Sequence, residues 1–72
     1  MNIEQIKSVI NDSVHTYQEK KHSIGTFYLP LNTDYSLVKQ IAETDHPGWH
    51  FELQDDFSEK DMWAFYNPKD TH

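Results

Sequence analysis

His46 and His50 stand four residues apart, next to Asp45. On a helix this spacing would place both imidazoles on one face, where they could ligate zinc. Pro47-Gly48 lies between them and is typical of a helix end, so only a loop could bring the two rings together. We therefore predict no metal and no cofactor, and keep a metal- or small-molecule-binding centre at His46 and His50 as an alternative.

Carboxylates form a second group with possible chemistry, and its members are Asp55, Asp56, Glu59 and Asp61. A calcium loop needs alternating oxygen ligands and a glycine at its sharp turn, and this stretch has no glycine. Acid/base catalysis by paired carboxylates needs a dry pocket that separates their pKa values, whereas a hairpin tip lies in water. We interpret the group as a solvated acidic turn.

The remaining sequence offers no catalytic constellation. None of the serines lies in a nucleophile elbow, and the two glycines, Gly25 and Gly48, form no phosphate-binding loop. The absence of cysteine excludes thiolate catalysis, disulfides and Cys-ligated zinc. The sequence therefore predicts a non-enzymatic protein.

The charge distribution points to a class of partner. The chain has a formal net charge of −6 and no arginine, and residues 34–72 carry nine acids against three lysines. Binding to nucleic-acid phosphate or to an anionic membrane requires a basic surface, so neither is expected. A basic protein partner is favoured electrostatically.

Length and hydropathy predict a small cytoplasmic domain. Seventy-two residues suffice for one domain, 1–72, with a modest core and a frayed tail over residues 67–72. No apolar run approaches the roughly 20 residues of a membrane span. The first residues lack the basic and apolar regions of a signal peptide, and the lack of cysteine fits a reducing compartment.

Apolar periodicity predicts the element order αβαββ. The expected helices cover residues 3–20 and 34–45, and the expected strands cover 24–31, 49–54 and 61–66. Pro30 favours an edge strand or a strand end. Strands joined through a helix prefer to be parallel, whereas the last two should form an antiparallel hairpin. With the third strand at the edge or between the first two, we expect an α+β fold with a three-stranded mixed sheet and both helices on one face.

The register of the last hairpin decides which aromatics are exposed. Alternation directs Trp49, Phe51 and Leu53 inward, with Phe27, Leu29 and Leu31 of the first strand. The last strand is apolar on both sides, so its orientation depends on the loop. An even loop would place Leu53 opposite Met62, Phe51 opposite Ala64 and Glu52 opposite Trp63. Met62, Ala64 and Tyr66 would then point inward, and Trp63 and Phe65 outward. A bulge or an odd loop would reverse this assignment.

In the even register, the open side of the sheet is an aromatic patch bordered by acids. Such patches often mark interfaces, and Trp and Tyr are enriched at binding hot spots. The alternative is that another part of the chain covers this side and makes Trp63 part of the core. The predicted partner-binding residues are Tyr28, His50, Glu52, Asp55, Asp56, Glu59, Trp63 and Phe65.

These features predict a small acidic interaction module that inhibits or regulates a basic protein. Carboxylates displayed in rows can imitate nucleic-acid phosphates, so a nucleic-acid-binding protein is a candidate partner. In overall composition the chain is similar to phage and plasmid inhibitors of nucleases and chromatin-like proteins. A self-associating structural subunit, such as a homodimer, is a further alternative.

Overall fold

The computed structural model describes residues 2–54 and 59–69. Along this part of the chain the elements are α1 (Ile3–Lys20), β1 (Gly25–Pro30), α2 (Tyr35–Asp45), β2 (His50–Gln54) and β3 (Lys60–Tyr66). Two helices and a three-stranded antiparallel sheet give an α+β fold. The predicted element order is confirmed.

α1 is defined by strong signals at both ends. The side chain of Asn2 accepts a hydrogen bond from the Gln5 N–H at 2.8 Å, and Gln5 Oε1 accepts one from the Asn2 N–H at 3.0 Å. This capping box satisfies two groups that a helix start leaves unpaired. The helix ends where Lys21 adopts a left-handed conformation with φ 54°. Its buried residues recur at helical spacing and are Ile6, Ile10, Val14 and Tyr17.

α2 is shorter and lies between two turns. Its N-cap is Asp34, whose carboxylate accepts a hydrogen bond from the Leu37 N–H at 3.3 Å. The helix ends at Asp45, with His46 as its C-cap just before Pro47 and Gly48, and Gly48 has a φ of +86°. The apolar face of α2 buries Val38, Ile41 and Ala42.

The strand order is β1-β3-β2, and β3 is antiparallel to both neighbours. This is one of the two expected positions for the third strand. The predicted mixed sheet is wrong, however, because β3 separates β1 from β2. Those two strands run in the same direction but share no ladder, so every pairing in the sheet is antiparallel. Pro30 ends β1 at the sheet edge, as predicted.

The register of the β2–β3 hairpin also differs from the expected one. Leu53 faces Trp63 and Phe51 faces Phe65. Because Gln54 faces Met62, seven residues, 55–61, lie between these two partners. This number is odd, so every side chain of β3 points to the face opposite the expected one.

As a result, Trp63 and Phe65 belong to the core, and their predicted place on the open side is wrong. Trp63 is 1% exposed and Phe65 is 0% exposed. The rings of Phe27 and Trp63 stack at 6.1 Å with planes 4° apart. The core cluster contains side chains from both helices and all three strands: Ile6, Ile10, Val14, Tyr17, Phe27, Leu29, Val38, Ile41, Ala42, Phe51, Trp63 and Phe65.

The reversal also corrects the inward assignment of three other residues of β3. Met62, Ala64 and Tyr66 lie on the opposite side of the sheet from Trp63 and Phe65, because successive residues of a strand alternate between faces. On β1 the expected inward residues Phe27 and Leu29 are buried, whereas Leu31 lies beyond the strand end and is exposed.

Gly25 allows one core ring to approach the backbone of β1. A Cβ atom at this position would clash with Cζ of Phe65, which is the residue facing Gly25 in the β1–β3 ladder. Any larger residue would therefore displace the Phe65 ring.

The chain after β3 is tied back to α1. The Asn67 N–H donates a hydrogen bond to the hydroxyl oxygen of Tyr17 at 3.3 Å. The last part of the predicted frayed tail, residues 70–72, lies outside the described residues. In the two described ranges, neither helix has the length and apolar character needed to cross a membrane.

Candidate interaction surface

One side of the sheet has side chains that alternate with the core positions. We name this side the outer face. It is formed by Thr26, Tyr28, Pro30, His50, Glu52, Gln54, Lys60, Met62, Ala64 and Tyr66. Tyr28 is 50% exposed and Tyr66 is 39% exposed, which is a large accessible aromatic surface for a chain of this size.

The two ladders arrange the outer face in rows that cross the strands. Tyr28, Met62 and Gln54 form one row, and Thr26, Ala64 and Glu52 form the next. Tyr66 and His50 form a third row. Residues in a row are close neighbours, because paired side chains on adjacent strands have Cβ atoms about 5 Å apart.

His50 connects an aromatic ring to an acid on this face. Its ring centroid lies 5.1 Å from that of Tyr66, and its Nε2 lies 3.4 Å from Oε2 of Glu52. All three side chains remain accessible to solvent. Contacts of this kind restrict the rotamers of the Tyr66 and Glu52 side chains.

The structure brings together only some of the predicted site residues. Tyr28, His50 and Glu52 share the outer face as expected, and Glu59 is exposed just before β3. Asp55 and Asp56 lie outside the described residues. Trp63 and Phe65 were expected on this face and are instead in the core.

Sequence reasoning missed three members of the outer face: Met62, Ala64 and Tyr66. Their alternation with Trp63 and Phe65 was recognised, but the choice of face depended on loop parity. The volumes of the side chains could have decided it. Burying Trp63 and Phe65 removes far more apolar area from water than burying Met62 and Ala64.

His46 has a structural environment at the end of α2. Its Nε2 lies 2.8 Å from Oδ1 of Asn11, and its ring lies 5.6 Å from that of Trp49. Burial lowers the pKa of the His46 imidazole below its ordinary value, and the negative charge of Asp45 opposes part of this change. His46 therefore links α1 to the turn that follows α2.

His46 and His50 do not form a shared ligand site in this geometry. The ring of His46 packs against the core residue Phe51, whereas that of His50 packs against Tyr66 on the outer face. Across residues 2–54 and 59–69, no cluster of three or more His, Asp or Glu side chains could hold a metal ion.

A groove of about 470 Å³ lies between the second half of α1 and the start of β1. Its lining is Asp12, Ser13, Thr16, Tyr17, His22, Ile24, Gly25 and Thr26. The Thr16 hydroxyl donates to the Asp12 carbonyl at 3.1 Å. Among the described residues, no hydrogen bond joins Ser13 or Thr16 to His22, so the groove has no nucleophile–base pair of the kind that covalent catalysis uses.

The edge strand β2 has a cation next to its backbone. Lys39 of α2 extends its Nζ to within 3.0 Å of the Phe51 carbonyl oxygen, to which it donates a hydrogen bond. The same Nζ lies 3.9 Å from Oε1 of Glu43. A lysine at a sheet edge disfavours the addition of a further strand, so the accessible apolar surface of the sheet is its outer face rather than this edge.

Comparison with known proteins gives no assignment for this surface. The chain matches no protein-family model, and no curated protein or solved structure shows significant similarity to it.

Proposed function

We propose that this protein is a non-enzymatic interaction module that binds a basic protein partner through its outer face. The observation that carries the proposal is the exposure of Tyr28 and Tyr66 on a sheet face whose neighbouring positions hold Met62, His50 and Glu52. Tyrosines on a preformed strand surface can be buried by a partner with little loss of conformational entropy.

The packing of the core supports an outer face that the described part of the chain leaves uncovered. Side chains of α1 and α2 belong to one core cluster with Phe27, Phe51 and Phe65. From this we infer that both helices cover the same side of the sheet. Within residues 2–54 and 59–69, the opposite side then has no helix packed on it.

The charge of the chain supports a basic partner. The net charge of −6 resides in residues 34–72, which include β2, β3 and the connection between them. A negative potential of this kind accelerates association with a positive surface, and it opposes pairing with a second copy of the same chain. The tyrosines supply the desolvated contacts that charge alone does not provide.

Within this class we favour a partner that normally binds nucleic acid. Glu52 is exposed on the sheet, and Glu59 is exposed just before β3. The acidic residues 55 and 56 lie between them in the sequence. Carboxylates in this arrangement can occupy a site that otherwise holds phosphates, so the protein would act as an inhibitor or regulator by competition.

The proposal is tested by titrating the protein with purified basic nucleic-acid-binding proteins and recording amide chemical shifts at low and high salt. We expect shifts at Tyr28, His50 and Tyr66, weaker binding at high salt, and release of nucleic acid from the partner. The double variant Tyr28→Ser/Tyr66→Ser should weaken binding by at least about tenfold, as for hot-spot residues.

Matched variants separate this face from the rest of the surface. Ile3→Ser removes an equally exposed apolar side chain from α1, and Glu19→Gln removes a carboxylate from α1. Both control variants should bind the partner as tightly as the natural protein does. Tyr28→Ser/Tyr66→Ser and Glu52→Gln should bind it more weakly. Equal effects of face and control variants, or a homodimer that buries Tyr28 and Tyr66, would contradict the proposal.

A further inference from the structure

The middle row of the outer face has a small side chain on the central strand. It consists of Thr26, Ala64 and Glu52, and Ala64 lies on the central strand. Ala64 is only 9% exposed, because larger side chains surround its methyl group. Alanine is depleted in strands relative to β-branched residues, so its local contribution to the sheet is small. Because Ala64 has a shorter side chain than Met62 and Tyr66 on the same strand, we infer a depression above it.

The walls of this depression are the neighbouring residues of β3 and their partners. Met62 and Tyr66 stand on either side of Ala64, with Tyr28 beside Met62 and His50 beside Tyr66. Met62 and Tyr66 are four positions apart, which corresponds to a Cα distance of about 13 Å along an extended strand. Once the wall side chains are included, one side chain fits above Ala64, whereas a helix about 10 Å across does not.

The chemistry of the depression changes along its length. Its floor is the Ala64 methyl group, and its walls include two exposed phenol rings. At the β2 end stands the carboxylate of Glu52, whose Oε2 lies 3.4 Å from Nε2 of His50. An alkyl stem therefore matches the floor, a planar cation matches the rings, and a pair of hydrogen-bond donors matches the carboxylate.

We propose that an arginine side chain of the basic partner occupies this depression, with its methylenes on Ala64 and its guanidinium between a tyrosine ring and Glu52. This inference rests on the proposed function and specifies its central contact. Arginine fits better than lysine, because a planar guanidinium stacks on aromatic rings and binds a carboxylate through two parallel hydrogen bonds. Charge complementarity with the acidic chain favours a cationic side chain over a neutral one.

The test uses isotope-labelled protein and an oligoarginine peptide, with oligolysine and oligocitrulline peptides of equal length for comparison. Citrulline keeps the shape of arginine and lacks its charge. We expect nuclear Overhauser contacts between the arginine δ-methylenes and the Ala64 methyl group. We also expect affinity in the order arginine, lysine, citrulline. These measurements need no variant, so they stand even where a substitution disturbs folding.

Filling the depression provides the second measurement. Ala64→Leu places a larger apolar side chain on the floor without changing the charge, and it should weaken oligoarginine binding by at least about tenfold, or about 1.4 kcal/mol. Ser8→Leu adds the same side chain to the exposed surface of α1 and should leave binding unchanged. Circular dichroism shows that each variant is folded.

The outcomes distinguish the inference from the proposed function. If oligoarginine shifts Tyr28 and Tyr66 while Ala64→Leu binds as tightly as the natural protein, the arginine contact is overturned and the interaction face stands. If oligolysine binds as tightly as oligoarginine and neither peptide contacts the Ala64 methyl group, the arginine contact is likewise overturned and the interaction face stands. Shifts confined to the helices, with none on the outer face, would overturn both.

Discussion

Phe51 faces Phe65 across the β2–β3 ladder, and their ring centroids lie 5.5 Å apart with planes 24° from parallel. This pair fixes the register of the hairpin, since Leu53 must then face Trp63. The same register carries Met62, Ala64 and Tyr66 to the outer face. One cross-strand contact therefore decides both what stabilises the fold and what is available to a partner.

The first prediction concerns the burial of the β3 aromatics. Phe65→Ala should lower the free energy of unfolding by about 3–5 kcal/mol, because it removes a fully buried ring and leaves a cavity. Tyr66→Ala, on the outer face, should lower it by about 1 kcal/mol or less through lost cross-strand contacts. Urea denaturation followed by tryptophan fluorescence measures both. Equal losses for the two variants would show that the register is wrong. If Phe65→Ala does not fold, the smaller change Phe65→Leu permits the same comparison.

Gly25 provides a second test of the same packing. Gly25→Ala should lower the free energy of unfolding by about 1–3 kcal/mol, because its Cβ would clash with the Phe65 ring. In Phe65→Leu the ring is absent, so Gly25→Ala should cost less in that background.

The control for Gly25 is Gly48, which has open space around it and a φ of +86°. Gly48→Ala should cost about 1 kcal/mol through backbone strain alone, with no dependence on residue 65.

Additive effects of Gly25→Ala and Phe65→Leu would contradict the proposed close approach. Thermal or chemical unfolding of the four proteins supplies the required double-mutant cycle.

The third prediction concerns pH. Burial lowers the pKa of His46 in the folded chain below the value of about 6.5 that it has when unfolded. The unfolded chain therefore binds the proton first as pH falls. This contribution to stability is fully present above about pH 6.5 and is lost as pH falls through the folded pKa.

His46→Gln isolates that contribution, because glutamine does not titrate and its amide can still donate to Asn11. We expect the stability of this variant to fall less than that of the natural protein between about pH 7 and about pH 5. NMR titration of the His46 ring measures its pKa directly. A folded pKa at or above the unfolded value, or identical declines for the two proteins, would exclude this linkage.

The fourth prediction concerns the cation beside the edge strand. Lys39→Met keeps the length of the side chain but removes the hydrogen bond to the Phe51 carbonyl, which is 3.0 Å long. We expect a loss of about 1–2 kcal/mol, since charge-assisted hydrogen bonds exceed neutral ones. Concentration-dependent light scattering should also increase, because the β2 edge becomes open to another strand.

A matched control for Lys39 is Lys7→Met on α1. Lys7 makes a looser contact with Asp45, in which Nζ and Oδ1 are 3.9 Å apart, and half of its side chain is exposed. Its removal should change stability by well under 1 kcal/mol. Similar scattering from both variants would indicate that net charge, rather than the covered edge, controls association.

Local sequence signals were sufficient for the helices and for the existence of the strands. The apolar spacing of Ile6, Ile10 and Val14, with Asn2 before it, predicted α1 with the boundaries that the structure has. Asp34 and Pro47-Gly48 likewise bounded α2. These signals work because helix formation and capping depend on residues within about four positions of each other.

Sheet order was only partly accessible from the sequence. The αβαββ order permitted β3 at the edge or in the middle, and Pro30 correctly indicated that β1 has a free edge. Because β3 lies between β1 and β2, these two strands form no parallel ladder. The sheet is therefore antiparallel rather than mixed, although a mixed sheet had been expected. Nothing local to β3 encodes its neighbours, since both are distant in sequence.

The sequence by itself determined the helices, the strand positions, the alternation within each strand and the acidic charge of residues 34–72. The tertiary structure decided which side of β3 faces the core, and so placed Met62, Ala64 and Tyr66 on the outer face in the position expected for Trp63 and Phe65. The physical reason is that alternation fixes two sets of side chains but not their direction. Trp63 and Phe65 point toward Phe27, Phe51 and the helices, because packing there removes their large apolar area from water.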